Sequence, residues 1–211
     1  MEKDYLVPFE AYGEDRFEEK RSKFIGRLWR VETPDEAVGK IKEMREAYRD
    51  ATHHCWAYII REGNFMRYSD DGEPQGTAGM PILDVLRHGE LQNCVCVVTR
   101  YFGGVLLGTG GLVRAYTKGA QLAVAAAGVQ KMSLYAVLLI ACPYPLYETV
   151  IHLLPEYDCA VEETDYGADV TLTVTIPAGR EDELNTALAE ATAGTVYAER
   201  METKFMGRRV Q

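Results

Sequence analysis

Between Asn93 and Tyr116 the chain reads NCVCVVTRYFGGVLLGTGGLVRAY: a short apolar run, then five glycines among the nine residues 103–111, then the start of an Ala-rich stretch. A continuous apolar run bounded by turn residues reads as a buried strand, here Cys94 to Thr99. The Ala-rich stretch predicts a helix over Leu112 to Ala127, stopped by Gly128, with Thr109 as its natural N-cap. Glycines crowded at a strand-to-helix junction let main-chain N–H groups approach a ligand closely, and the helix N-terminus adds partial positive charge. Arg100 precedes the turn and Arg114 lies one turn into the helix, so both can reach one anion.

The residues expected to hold a phosphate-like group are Arg100, Gly103, Gly104, Gly108, Thr109, Gly110, Gly111 and Arg114. Lys23 joins them from the basic segment Lys20-Arg21-Ser22-Lys23-Phe24, and Phe24, Tyr101 and Phe102 offer faces on which bases can stack. A blander reading stays open, in which the glycines only let the helix pack on its sheet, the charges are solvated and the aromatics are core. The segment is not a Walker loop, because no Gly-Lys-Ser/Thr follows. Nor is it a dinucleotide fingerprint: Gly108-Thr109-Gly110 runs into Gly111-Leu112-Val113 without the third glycine in place.

A second polar constellation is YSDDGEPQGTAGMP, Tyr68 to Pro81. Asp70, Asp71 and Glu73 put three carboxylates in four residues, a set able to hold Mg²⁺ by its oxygens or to meet basic groups of a partner. Asp-Asp-Gly is equally ordinary turn chemistry, and the loop lacks the spacing of an EF-hand. Earlier in the chain, His53 and His54 precede the candidate strand Cys55 to Ile60; as its first pair they would point to opposite faces and could not easily share a metal. One of them beside the acidic loop could shuttle a proton or touch a phosphate. Cys94 and Cys96 share a strand face without further ligands at useful spacing for zinc. No metal or cofactor is expected.

The C-terminal third parses as β-α-β-β-α-β. YAVLLIAC is an apolar strand, and Leu146, Val150, Leu153 and Leu154 recur at helical spacing before Pro155. CAVEETD and ADVTLTVTI flank a Tyr166-Gly167 turn, Gly179 to Thr192 is amphipathic, and TVYAERMET closes as a strand. That order is the ferredoxin-like pattern, two helices on one face of an antiparallel sheet. Before it, SKFIGRLWRV reads as a strand, Thr33-Pro34-Asp35-Glu36 as a capping box, HCWAYIIR and NFMRYS as a hairpin about Glu62-Gly63, and Gly76 to His88 as a short helix. Strands gathered with helices on one face predict a two-layer α+β domain. The expected organisation is thus α+β in two domains, 1–130 and 134–211, with a linker near Gly128 to Ser133.

The net charge of -9 excludes indiscriminate nucleic-acid binding, but the acidity is local. From Tyr135 onward there are 13 acidic and 5 basic residues, leaving 19 and 18 before that point, so the N-terminal part can still carry a basic face. Five cysteines without a CxxC pair sit mostly in apolar runs and read as reduced thiols. No apolar run approaches the roughly 20 residues of a membrane span. The acidic N-terminus lacks the order of a signal peptide, so a cytoplasmic protein is expected.

SKFIG, ATHHCWAY, SDDGEPQGTAGMP and VVTRYFGGVLLGTGGLVRAY, in that order, closely resemble the signature blocks of the IMPACT/YigZ family. The C-terminal third resembles the ferredoxin-like second domain of its bacterial members, itself similar to a domain of elongation factor G. The resemblance implies an N-terminal fold like the second domain of a small-subunit ribosomal protein. Eukaryotic relatives regulate translation by interfering with activation of the kinase that senses amino-acid starvation, using an additional N-terminal domain not present in these 211 residues. Three functions follow as expectations. The first is a non-catalytic translation-associated protein whose glycine turn binds RNA or ribosome phosphate. The second is a Mg²⁺-dependent enzyme on a phosphorylated small molecule, with Asp70, Asp71 and Glu73 holding the metal and His53 or His54 moving the proton. The third is a regulatory partner of another protein, docking through the acidic second domain.

Overall fold

A computed structural model of the chain describes residues 4–209. They divide into two compact units, one formed by Tyr5–Lys131 with the described residues from Gly207, the other by Met132–Met206 with Asp4.

The first unit contains β1 (Tyr5–Pro8), β2 (Tyr12–Glu19), β3 (Ser22–Arg30), α1 (Pro34–Ala47), β4 (His53–Ile60), β5 (Phe65–Ser69), α2 (Gly79–His88), β6 (Cys94–Tyr101) and α3 (Thr109–Ala127). Five strands pair in the order β2-β3-β6-β4-β5, every neighbour antiparallel. Strand parity sorts the core. Phe24, Leu28, Cys55, Ala57, Cys94, Cys96 and Val98 face α2 and α3, while Trp29, Tyr58, Val95 and Val97 face α1. The unit therefore has three layers, not the two expected from sequence. The physical reason lies in β6, whose side chains are buried on both faces, so helices must cover both.

Local signals explain most boundaries. The Thr33 hydroxyl accepts from the Glu36 amide at 3.2 Å, and the Glu36 carboxylate reaches one residue beyond the usual box to accept from the Glu32 amide. The helix α2 begins at Gly79 rather than Gly76, because the preceding residues wrap around Asp70. Close approach of α3 to the sheet rests on Gly26, where a Cβ would lie 2.0 Å from the Gly119 carbonyl oxygen.

The second unit comprises β7 (Val129–Cys142) from Met132 onward, α4 (Tyr147–Leu153), β8 (Ala160–Tyr166), β9 (Val170–Pro177), α5 (Glu181–Ala191) and β10 (Ala198–Arg209) as far as Met206. Here β7 pairs with β9 and β9 with β8, both antiparallel, and β10 also pairs with β7. Alternate residues Val170, Leu172, Val174 and Ile176 of β9 pack with Leu138 and Ile140 of β7 and with Val150, Leu184 and Leu188 of the helices. In Gly128–Ser133, where the linker is expected, the chain is strand from Val129 onward, and the division between the two units falls inside this stretch, after Lys131.

Candidate functional site

The β2–β3 hairpin turns on Lys20 and Arg21, with Glu19 paired to Ser22. Both turn residues have positive φ, 46° and 67°, the two-residue geometry that normally selects Asn-Gly. Two long cationic side chains are thus carried on a tip whose backbone disfavours them, at a cost of order 1 kcal/mol each. Against this tip lies the loop that leaves β6. A Cβ on Gly103 would meet the Arg21 carbonyl at 2.0 Å, and the Gly103 amide donates to Ser22 Oγ at 3.1 Å.

The loop delivers the chain to α3. Gly108, at φ 72°, is the N-cap and supplies no side chain, so Thr109 is the first helical residue and not the cap expected from sequence. Gly108 accepts the first intrahelical bond from Leu112 at 2.9 Å. Beside this helix start is a cavity of about 210 Å³ lined by Phe17, Glu19, Lys20, Leu107, Gly111, Arg114, Ala115 and Lys118. Three cations face one carboxylate there. Among the described residues neither Lys20 nor Arg114 forms an ion pair, and Lys118 Nζ rests 4.4 Å from the Phe17 ring centre. Lys20, Arg114 and Lys118 thus share one cavity with Gly111 of the first turn of α3.

The expected anion set divides. Gly111 and Arg114 line the cavity, with Gly110 beside the Arg114 guanidinium at 3.7 Å from where its Cβ would stand. Gly104 and Gly108 shape the approach with positive φ, and Gly103 seats the loop on the hairpin. Arg100 is a correction. Its strand parity turns it into the core, where Nη1 donates to Glu73 Oε1 at 2.6 Å and Nη2 to Ser22 Oγ at 3.3 Å. A buried guanidinium needs such a partner, so Arg100 and Arg114 do not share an anion. Lys23 is a second correction: it pairs across from Tyr101 on β6 and falls by alternation on the α1 face, away from α3. Phe24 is buried and Tyr101 donates to Asp50 at 3.4 Å, which leaves Phe102 as the exposed ring of the three. Lys118, which sequence reasoning missed, stands one turn after Arg114 on the same helix face, and that i,i+4 spacing was a usable signal.

The acidic loop is built from committed carboxylates. Asp70 accepts from the amides of Gly76 (2.8 Å), Ala78 (3.0 Å) and Gly79 (2.8 Å), so it caps α2 from a distance in sequence. Asp71 takes Arg45 at 2.5 Å and the His54 amide at 2.6 Å. Glu73 Oε1 receives both Arg100 and the Tyr116 hydroxyl, the latter at 2.7 Å. Burial, reinforced by Cys55 and Glu73, pushes the Tyr116 phenol far up and keeps it a donor. Among the described residues no group of three or more His, Cys, Asp or Glu is placed to hold a metal ion.

The two histidines part. His53 Nδ1 lies 2.8 Å from the Asp71 carbonyl, and its Nε2 is 3.9 Å from Glu73. His54 faces α1: Nε2 donates to the Tyr48 carbonyl at 3.0 Å, which leaves Nδ1 to accept from Thr99 Oγ1 at 3.1 Å. Burial pulls the His54 pKa below its ordinary value, so it is held neutral. A wider hollow of about 600 Å³ between α2 and α3 is lined by Val85, Val113, Val124 and Ala125 with Asp84 and His88, and carries no cationic cluster. No helix among the described residues is long and apolar enough to cross a membrane.

Comparison with known proteins adds identity to this geometry. Residues 20–124 match the Impact N-terminal domain, and residues 140–195 match a domain of unknown function, DUF1949. IMPACT family member YvyE of Bacillus subtilis is 35% identical over 90% of this chain and 88% of its own length. IMPACT family member YigZ of Escherichia coli is 35% identical over 84% of this chain and 88% of its own. A crystal structure described as that of an hypothetical protein superposes with a TM-score of 0.60 at 33% identity, covering 96% of this chain and 99% of the other. The signature blocks, the two-domain α+β fold and these relatives agree: the chain belongs to the IMPACT family.

Proposed function

We propose that this protein is a non-catalytic, translation-associated regulator of the cytoplasm that holds an RNA or ribosome phosphate in the cavity at the start of α3. One observation carries the reading: Lys20, Arg114 and Lys118 line one cavity together with Gly111 from the first turn of α3, a helix whose N-terminus has no side-chain cap. Charge-assisted hydrogen bonds from Arg and Lys, added to free helix amides, are the usual means of gripping a phosphate without reading sequence. The family's eukaryotic members, as the sequence resemblance implies, act on translation, and the cation cluster gives this chain a surface suited to that setting. The pairing of β7 with β9 and β10, and of β9 with β8, together with α4 and α5, supports a ferredoxin-like second domain, whose acidic surface suits docking on a protein partner. Domain limits of 1–130 and 134–211 belong to the same proposal.

The Mg²⁺-dependent enzyme is not favoured. Glu73 does approach α3, through Tyr116, but its Oε1, both oxygens of Asp70 and both of Asp71 already bond protein donors. Purifying the native protein and identifying what accompanies it by mass tests the proposal. A ribosomal or transfer RNA fragment is the expected companion; a discrete phosphorylated metabolite in its place would overturn it.

A further inference from the structure

The loop between β6 and α3 exposes apolar side chains beside the cation cluster. Leu106 is 80% exposed, Phe102 46% and Val105 38%, all within five residues. Single exposed apolar residues are ordinary on a protein surface; a group of them edged by cations marks a contact site. The loop is also fixed at both ends. The Phe102 amide donates to Thr52 Oγ1 at 3.0 Å, Gly103 rests on the Arg21 backbone, and Leu107 turns inward to form a wall of the α3 cavity. Phe102 is braced from below: the Arg100 guanidinium carbon is 5.4 Å from its ring centre and 5.5 Å from that of Phe24, and Glu73 anchors the guanidinium. The outcome is a group of exposed apolar side chains on a loop anchored at Phe102 and Gly103, whose next residue, Leu107, lines the cation-bearing cavity.

We infer that the ligand of this surface is an unpaired RNA segment, with a backbone phosphate at Lys20, Arg114 and Lys118 and an adjacent base on Phe102, Val105 and Leu106. This rests on the phosphate reading above and narrows it. A paired A-form helix presents phosphates and 2′-hydroxyls while its bases stay stacked inside, so it would meet the cations and leave the platform bare. An unpaired strand supplies both an anion and an apolar face, which is how aromatic platforms and basic grooves act together. The position of the cations at the base of the loop makes the partner anionic as well as apolar.

Fluorescence anisotropy on the full chain at low salt tests this, using a labelled single-stranded RNA of mixed sequence and the same strand annealed to its complement. The native protein is expected to bind the single strand more tightly. Leu106→Ser and the double change Phe102→Ala with Leu106→Ser are expected to lose about tenfold for the single strand and little for the duplex. Leu106 is so exposed that its change leaves the fold intact, which a thermal melt verifies. Equal affinity for both RNAs, or variants that bind the single strand unchanged, would overturn the inference while leaving the phosphate site standing. No binding of either RNA would overturn both. Binding to anionic phosphatidylglycerol vesicles instead, lost in Leu106→Ser, would replace RNA by a lipid surface.

Discussion

Arg100 Nη1 closes on Glu73 Oε1 at 2.6 Å, with 6% and 3% of the two side chains exposed. This pair joins the end of β6 to the acidic loop, and Tyr116 ties the same carboxylate to α3. Removing one member leaves the other charged, buried and unpaired, which typically costs about 3–5 kcal/mol. Glu73→Ala and Arg100→Ala are therefore both expected to lower stability by that order in urea unfolding. The double variant should lose clearly less than the sum, since it strands no charge. Additive losses would show that the two side chains do not act as a pair.

His54 makes stability depend on pH. Its folded pKa is lowered by burial, so the folded protein resists a proton that the unfolded chain accepts. Above the ordinary histidine value of about 6.5 both states are neutral and the group contributes nothing to the pH dependence. As pH falls through that value, the unfolded chain binds the proton first and the free energy of unfolding drops. The loss stops growing once pH passes below the folded pKa. In His54→Gln, which keeps a donor for the Tyr48 carbonyl, the decline in stability between about pH 7 and pH 5 should be shallower than in the native protein. Identical pH profiles would contradict a neutral, buried His54.

Gly26 sets how closely α3 lies on the sheet. A Cβ there would press on the Gly119 carbonyl at 2.0 Å, against backbone that no side-chain rotation can relieve. Gly26→Ala is expected to cost about 1–3 kcal/mol and to weaken phosphate binding, because the helix start moves relative to Lys20. Thermal melting and RNA titration on the same sample check both effects. A variant of native stability would show that the helix accommodates the methyl group.

Some of this was legible in the residues. The alternation of Val170, Leu172, Val174 and Ile176 fixes the buried face of β9, and Thr33 with Glu36 marks the start of α1, because both are local signals. The third layer was also written, in the unalternating run Cys94 to Val98, which calls for cover on both faces. The roles of the arginines were not. Arg100 and Arg114 look alike in a sequence, and what separates them is a partner 27 residues from Arg100 that only folding brings close. Lys20 and Lys23 likewise differ by strand geometry: the hairpin tip carries Lys20 to the cavity, while alternation sends Lys23 to the opposite face. Asp70 reads as a metal ligand until the amides of Gly76, Ala78 and Gly79 are seen to converge on it.

The phosphate hollow is tested most directly by the salt dependence of RNA binding. For single strands, the logarithm of affinity falls against the logarithm of salt by about 0.7 per phosphate neutralised. With Lys20, Arg114 and Lys118 all changed to Gln, the slope should become shallower by about two units, and stability should stay within about 0.5 kcal/mol of native. A triple variant that binds RNA with native affinity and native slope would contradict the account.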